Sequence, residues 1–189
     1  MTHGTTGFCG GTRDQTMADC INALKEWTRK STATVLFDSA VDEFTSRGLL
    51  DNIRGKPNIA VVGFTTDGDV FGGYFSVAVS PQWEEYRDPD IFAFSFESHG
   101  RCETPQRFLV RYSLMDKAFL RLARAETSDF RVEFYVPRRG GFRLGNDRTG
   151  SWCSNVALAF GSLGNTTLTG TNFTSNQFHC TRLLAVQLA

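Results

Sequence analysis

A chain of 189 residues with 41% hydrophobic and 13% aromatic side chains, including 17 Phe, can bury a substantial core and does not have a disordered composition. Its 20 basic and 20 acidic residues cancel, which argues against a nonspecific nucleic-acid binder, and no apolar run approaches the ~20 residues that cross a bilayer. The start, Met1 to Gly11, is polar and lacks the apolar centre of a secretory leader, so the expectation is a soluble intracellular protein of the cytoplasm or nucleus, without membrane insertion.

After an expected flexible tail over 1–13, Asp14 to Lys30 reads as a helix. Met17, Ile21, Leu24 and Trp27 recur at helical spacing, Asp14 suits the cap, and Lys25, Arg29 and Lys30 suit the carboxyl end. Thr34 to Asp38 is β-branched and apolar, as a strand is. Val41 to Ile53 offers Phe44, Leu49, Leu50 and Ile53 as the buried side of a short helix. A turn at Gly55 to Asn58 precedes an apolar strand, Ile59 to Phe64. Asp67-Gly68 then separates it from a second strand, Val70 to Val79, in the manner of a hairpin, because Gly accepts the positive φ of the turn.

Ser80 to Asp90 reads as a polar loop, and Ile91 to Phe96 as a half-buried strand of alternating aromatic and smaller residues. Arg107 to Tyr112 reads as extended. Lys117 to Ala125 fits a helix through Met115, Phe119 and Leu122, and equally a strand through Leu120 and Leu122. Phe130 to Val136 and Phe142 to Leu144 are strands flanking a Pro137 to Gly141 turn, and a Gly/Asn/Thr/Ser-rich last third closes on a strand from Arg182 to Leu188. Roughly eight to ten short strands with a few helices, without internal repeat or long linker, predict one mainly-β domain over 14–189.

The five cysteines are scattered and form no C-x-x-C pair, so zinc-ribbon and thioredoxin chemistry have no support, and the thiols read as small buried hydrophobes or free cysteines. Three histidines are available for a nucleophilic triad. Of these, His3 lies in the tail, His99 in a turn, and His179 beside Cys180 on a strand, where neighbours point to opposite faces. Asp67 and Asp69 read as turn chemistry, and Glu84, Glu85 and Asp88 as members of a solvated loop. No catalytic residue, metal ligand or cofactor is expected.

Charge is unevenly distributed along the chain. Phe37 to His99 holds eleven acidic and four basic residues, and Arg101 to Arg148 holds eleven basic and six acidic ones. Either the domain is polarised and steers a charged partner, or the segments interleave and cancel. The 16 Arg against 4 Lys keep nucleic acid open as an alternative partner, because the guanidinium fork matches phosphate oxygens.

Val35-Leu36-Phe37-Asp38-Ser39, Phe44-Thr45-Ser46 and Val70-Phe71-Gly72-Gly73-Tyr74 follow one another with an apolar strand ending in Thr66-Asp67-Gly68 between the last two. With Leu168-Thr169-Gly170, Phe173, Phe178 and the Leu183 to Leu188 strand, this resembles the TLDc domain of the oxidation-resistance and nuclear-receptor-coactivator-like proteins of eukaryotes, over roughly residues 34 to 188. The resemblance implies an α+β, mainly-β fold: a two-sheet antiparallel β-sandwich flanked by a few short helices. It further implies a non-enzymatic interaction module in oxidative-stress protection or in regulation of an assembly such as the vacuolar proton-pumping ATPase, whose subunits are then the expected protein partner. The alternatives are an enzyme with a fold-assembled carboxylate or thiol site, and a nucleic-acid-binding regulator.

Two segments are candidate interface. Paired glycines in Phe71, Gly72, Gly73 and Tyr74 mark a bulge or a close backbone approach, by a partner or ligand on one reading and by tight sheet–helix packing on the other. Arg138, Arg139 and Arg143, at a hairpin tip, form the sharpest basic cluster, and they lack the spacing and following helix of a phosphate loop.

Overall fold

The computed structural model describes residues 13–80, 84–102, 105–125, 130–146, 150–170 and 177–189, with side chains from residue 17 onward. Residues 1–12 of the expected tail, the side chain of Asp14, His3, Cys9 and Phe173 lie outside the described residues.

Among the described residues twelve strands form two antiparallel six-stranded sheets. In spatial order the first sheet runs β1 (Ala33–Asp38), β12 (Cys180–Leu188), β2 (Ile59–Thr65), β3 (Val70–Phe75), β5 (Phe92–Glu97) and β6 (Gln106–Leu109). The second runs β11 (Gln177–Phe178), β10 (Ser151–Ser154), β9 (Gly140–Gly145), β8 (Arg131–Val136), β7 (Phe119–Leu122) and β4 (Glu85–Arg87). The expected two-sheet sandwich is therefore present, with the chain's last strand seated between β1 and β2.

The two-residue period of a strand decides what each sheet buries. On β8, Val132, Phe134 and Val136 point inward and are buried, while Arg131 and Tyr135 stay partly exposed on the other side. Inward residues of both sheets interdigitate through phenylalanines. Phe134 stacks on its cross-strand neighbour Phe142 at 5.1 Å between centroids, and Phe71 of the first sheet meets Phe142 edge-on at 5.8 Å.

The two outer faces differ. Helix α1 (Arg13–Thr28) lies on the first sheet and packs Cys20, Ala23, Leu24 and Trp27 over Val62, Phe92, Phe94 and Leu184. Trp27 stacks on Phe96 at 6.0 Å. Double coverage explains why β2 reads as a continuous apolar run, Ile59-Ala60-Val61-Val62, rather than an alternating one. Among the described residues no element covers the outer face of the second sheet, and its strands alternate apolar inward with charged and aromatic outward.

Several boundaries differ from expectation, each for a local reason. The second helix, α2, spans Ser46–Ile53 and not 41–53, because the Thr45 side chain accepts from the Gly48 N–H at 3.1 Å and caps it there. Its Leu49, Leu50 and Ile53 enter the sandwich core as predicted. The strand from Val70 stops at Phe75, where Asp88 accepts from the Ser76 N–H at 2.5 Å and the Ser76 hydroxyl at 3.0 Å. Asp88 is fully buried, so it is a structural acceptor and not a member of a solvated loop. That segment also contains β4, paired with β7, which resolves 119–122 as strand. Beyond β6 the chain turns into a 3-10 helix, Tyr112–Lys117. The Ser-rich segment after Gly150 holds β10 and a single helical turn, α3 (Val156–Ala159). No helix among the described residues is long and apolar enough to cross a membrane.

Candidate functional site

The outer face of the second sheet, uncovered among the described residues, is organised by register. Glu85 lies opposite Arg121, Arg121 opposite Glu133, Glu133 opposite Arg143, Arg143 opposite Trp152, and Trp152 opposite Gln177. One row of side chains thus crosses all six strands, with alternating charge over four of them followed by an indole and an amide. Directly opposed residues in antiparallel strands have β-carbons about 4.5–5.5 Å apart, close enough for these groups to bond.

Bonds link most of this row. Glu133, with its side chain 3% exposed, receives Arg143 Nε at 2.7 Å and Arg121 Nη1 at 3.3 Å. Arg121 Nε reaches Glu85 at 2.8 Å, and the Tyr135 hydroxyl donates to the same carboxylate at 2.8 Å. The Arg121 guanidinium sits 4.8 Å above the Tyr135 ring, and that of Arg143 lies 5.5 Å from the Trp152 ring. The bond from Arg121, and secondly that from Tyr135, holds the Glu85 carboxyl below its ordinary value. Burial, reinforced by the bond to Glu85, pushes the Tyr135 phenol up to about 12. Tyr135 therefore stays neutral, and its ring is fixed from both ends.

The hairpin between β8 and β9 rises beside this row. Pro137, Arg138 and Arg139 are exposed there, with Arg138 at φ 61°. Among the described residues neither guanidinium reaches a carboxylate. Both line a shallow depression of about 350 Å³ together with Tyr135, Trp152 and Asn155. Arg143 is not part of this free cluster: it lies on the sheet face with its charge committed to Glu133.

Phe71, Gly72, Gly73 and Tyr74 are buried at the centre of the first sheet and present no bare backbone to a partner. A β-carbon on Gly73 would stand 2.6 Å from the Phe134 ring of the opposite sheet. One on Gly72 would meet the Val61 carbonyl oxygen and lie 2.9 Å from Phe94. The glycines admit close packing between sheets and under α1. The irregularity in pairing with β5 falls just before them, between Val70 and Phe71.

A second ionic cluster joins three loops. The Asp69 carboxylate, 2% exposed, meets the Arg101 guanidinium and His99 Nδ1, the latter at 3.0 Å. Arg101 also donates to the Thr167 and Leu168 carbonyls at 3.1 and 3.2 Å. No thiol or hydroxyl among the described residues bonds the His99 ring. Burial first, and a nearby aspartate second, push the Cys20 thiol up to about 12. Burial alone dominates at Cys153, also raised to about 12. No group of three metal-ligating side chains occurs among the described residues.

The acidic and basic halves of the sequence meet in space at Asp69–Arg101, Glu85–Arg121, Glu84–Arg124 and Arg87–Asp116. The interleaving reading thus applies to these charges, while Arg138 and Arg139 at the tip are among the described cations that no carboxylate meets.

The chain matches no family model and no curated protein.

Sequence reasoning found Arg138 and Arg139 but missed Tyr135, Trp152 and the row beside them. The available signal was the outward phase of Arg131, Glu133 and Tyr135 against inward Val132, Phe134 and Val136.

Proposed function

We propose that the chain is a non-enzymatic interaction module of TLDc type, acting in oxidative-stress protection or in the control of a protein assembly such as the vacuolar proton-pumping ATPase. The observation that carries the binding part is the open face of the second sheet, where Tyr135 and Trp152 are held by cross-strand arginines beside the unpaired Arg138 and Arg139. Tyr, Trp and Arg are the residues that dominate binding energy at protein interfaces, and fixed side chains lose little entropy when a partner docks. The sandwich architecture agrees with what the LFDS and FGGY segments imply, and Leu36 to Asp38 and Phe71 to Tyr74 lie on strands of one sheet.

The test is capture from eukaryotic extract, with solubilised vacuolar ATPase as the defined prey, using the chain and R138E/R139E. Retention of ATPase subunits by the chain, and their loss with the variant, is the expected result. Equal retention of every protein by both would remove this face as the interface. Absence of the ATPase from both would remove that assembly as the partner.

A further inference from the structure

We infer that the depression between the 137–139 tip and Trp152 is a docking site for an acidic peptide segment, with an aromatic or aliphatic side chain laid on the indole and flanking carboxylates on Arg138 and Arg139. The inference rests on the binding reading above and specifies its partner chemistry.

Charge complementarity selects the occupant. The depression is lined by two arginines and by no carboxylate, and neither arginine has an anionic partner among the described residues. Its volume, about 350 Å³, lies at the lower end of the ~300–1,000 Å³ of ligand pockets, enough for one or two side chains rather than a folded surface. The base is rigid: Tyr135 is bonded to both Glu85 and Arg121, and Trp152 is flanked by Arg143, itself bonded to Glu133. Among the described residues no acceptor meets the Trp152 indole N–H, which leaves a further donor for a carboxylate.

The same charges disfavour a nucleic acid. A phosphate backbone needs a continuous basic track, whereas Glu85 and Glu133 interrupt the row next to the tip, and the chain has no net positive charge. Two free guanidiniums beside an aromatic platform fit a short acidic motif instead. Solvent-exposed arginines steer and select such a ligand, while the ring supplies the desolvated contact.

Fluorescence anisotropy tests this with a short labelled peptide alternating glutamate and serine around one central tyrosine. The comparisons are a lysine-for-glutamate version and a single-stranded oligonucleotide. The expected result is binding of the acidic peptide alone, weakened about tenfold or more by R138E/R139E, as lost charge-assisted bonds require. Both substitutions are at exposed positions, and an unchanged melting curve verifies that the variant is folded. Equal binding by chain and variant, no binding by the folded chain, or tighter binding of the oligonucleotide each overturns the inference. If the peptide fails while partner capture still depends on Arg138 and Arg139, only the acidic chemistry falls. If capture is indifferent to them, the interaction face falls as well.

Discussion

The ring of Phe134 occupies the space in which Gly73 would otherwise carry a β-carbon, at 2.6 Å from where that atom would stand. The contact joins the central strands β3 and β8 across the sandwich, so even one methyl group must displace a buried ring. Overpacking of this kind costs ~1–3 kcal/mol. Gly73→Ala is expected to lower the urea midpoint accordingly, and Phe134→Leu in the same chain to recover part of the loss. Strictly additive effects in the double variant would show that the two residues do not compete for space.

Thiol chemistry is the next discriminating measurement. Cys20 and Cys153 are buried, with thiols pushed up to about 12, so neither supplies thiolate near neutrality. The folded chain is expected to leave both unmodified by iodoacetamide at about pH 8, while the urea-unfolded chain labels at both. Rapid labelling of either in the folded state would favour the alternative of a thiol-based enzyme.

Much of the sandwich was legible because its central strands are apolar and long. The β2–β3 hairpin announces itself through Asp67-Gly68, with Gly68 at φ 86°, and β8 through its strict alternation. Strand β4 was not legible, since three residues with only Tyr86 packed against the core carry almost no periodic signal. The candidate site was half legible. Arginines at 138 and 139 stand out in any reading, but the row from Glu85 to Trp152 is created by register between strands up to 67 positions apart, which composition does not encode. The paired glycines left two readings open for a related reason: a missing side chain looks the same in sequence whether a partner or the protein's own Phe134 fills the space.

Acid should destabilise the fold through its paired surface carboxylates. Asp38 is held below its ordinary 3.8 chiefly by its hydrogen bond to Arg182, whose Nε lies 2.8 Å away. A carboxyl lowered in the folded state contributes stability that is fully present above its unfolded value and is lost as pH falls through the folded one. The window therefore lies below about pH 4. Because Arg182 is partly open to water, the pair is worth ~0–1 kcal/mol. Asp38→Asn is expected to be less stable by that amount at about pH 7, with the gap narrowing progressively as pH falls below about 4. A gap that widens in acid would contradict the assignment.

The buried Asp69 offers the sharpest separation of a structural from a chemical role. Its carboxylate accepts the Arg101 guanidinium, which also bonds the Thr167 and Leu168 carbonyls, so removal of the charge loosens three loops together. His99, by contrast, is half exposed and contributes one bond from the rim. Hydrogen bonds to charged groups contribute ~1.5–3 kcal/mol. Asp69→Asn is expected to cost about that much, with faster hydrogen exchange at 97–101 and 166–169. His99→Ala should stay within ~0.5 kcal/mol, as exposed substitutions do. A double-mutant cycle should then assign coupling above ~0.5 kcal/mol to Asp69–Arg101 and little to Asp69–His99. The reverse order would mean that the histidine pair, and not the arginine clasp, is what the fold maintains there, and would point to an acid–base role for this turn.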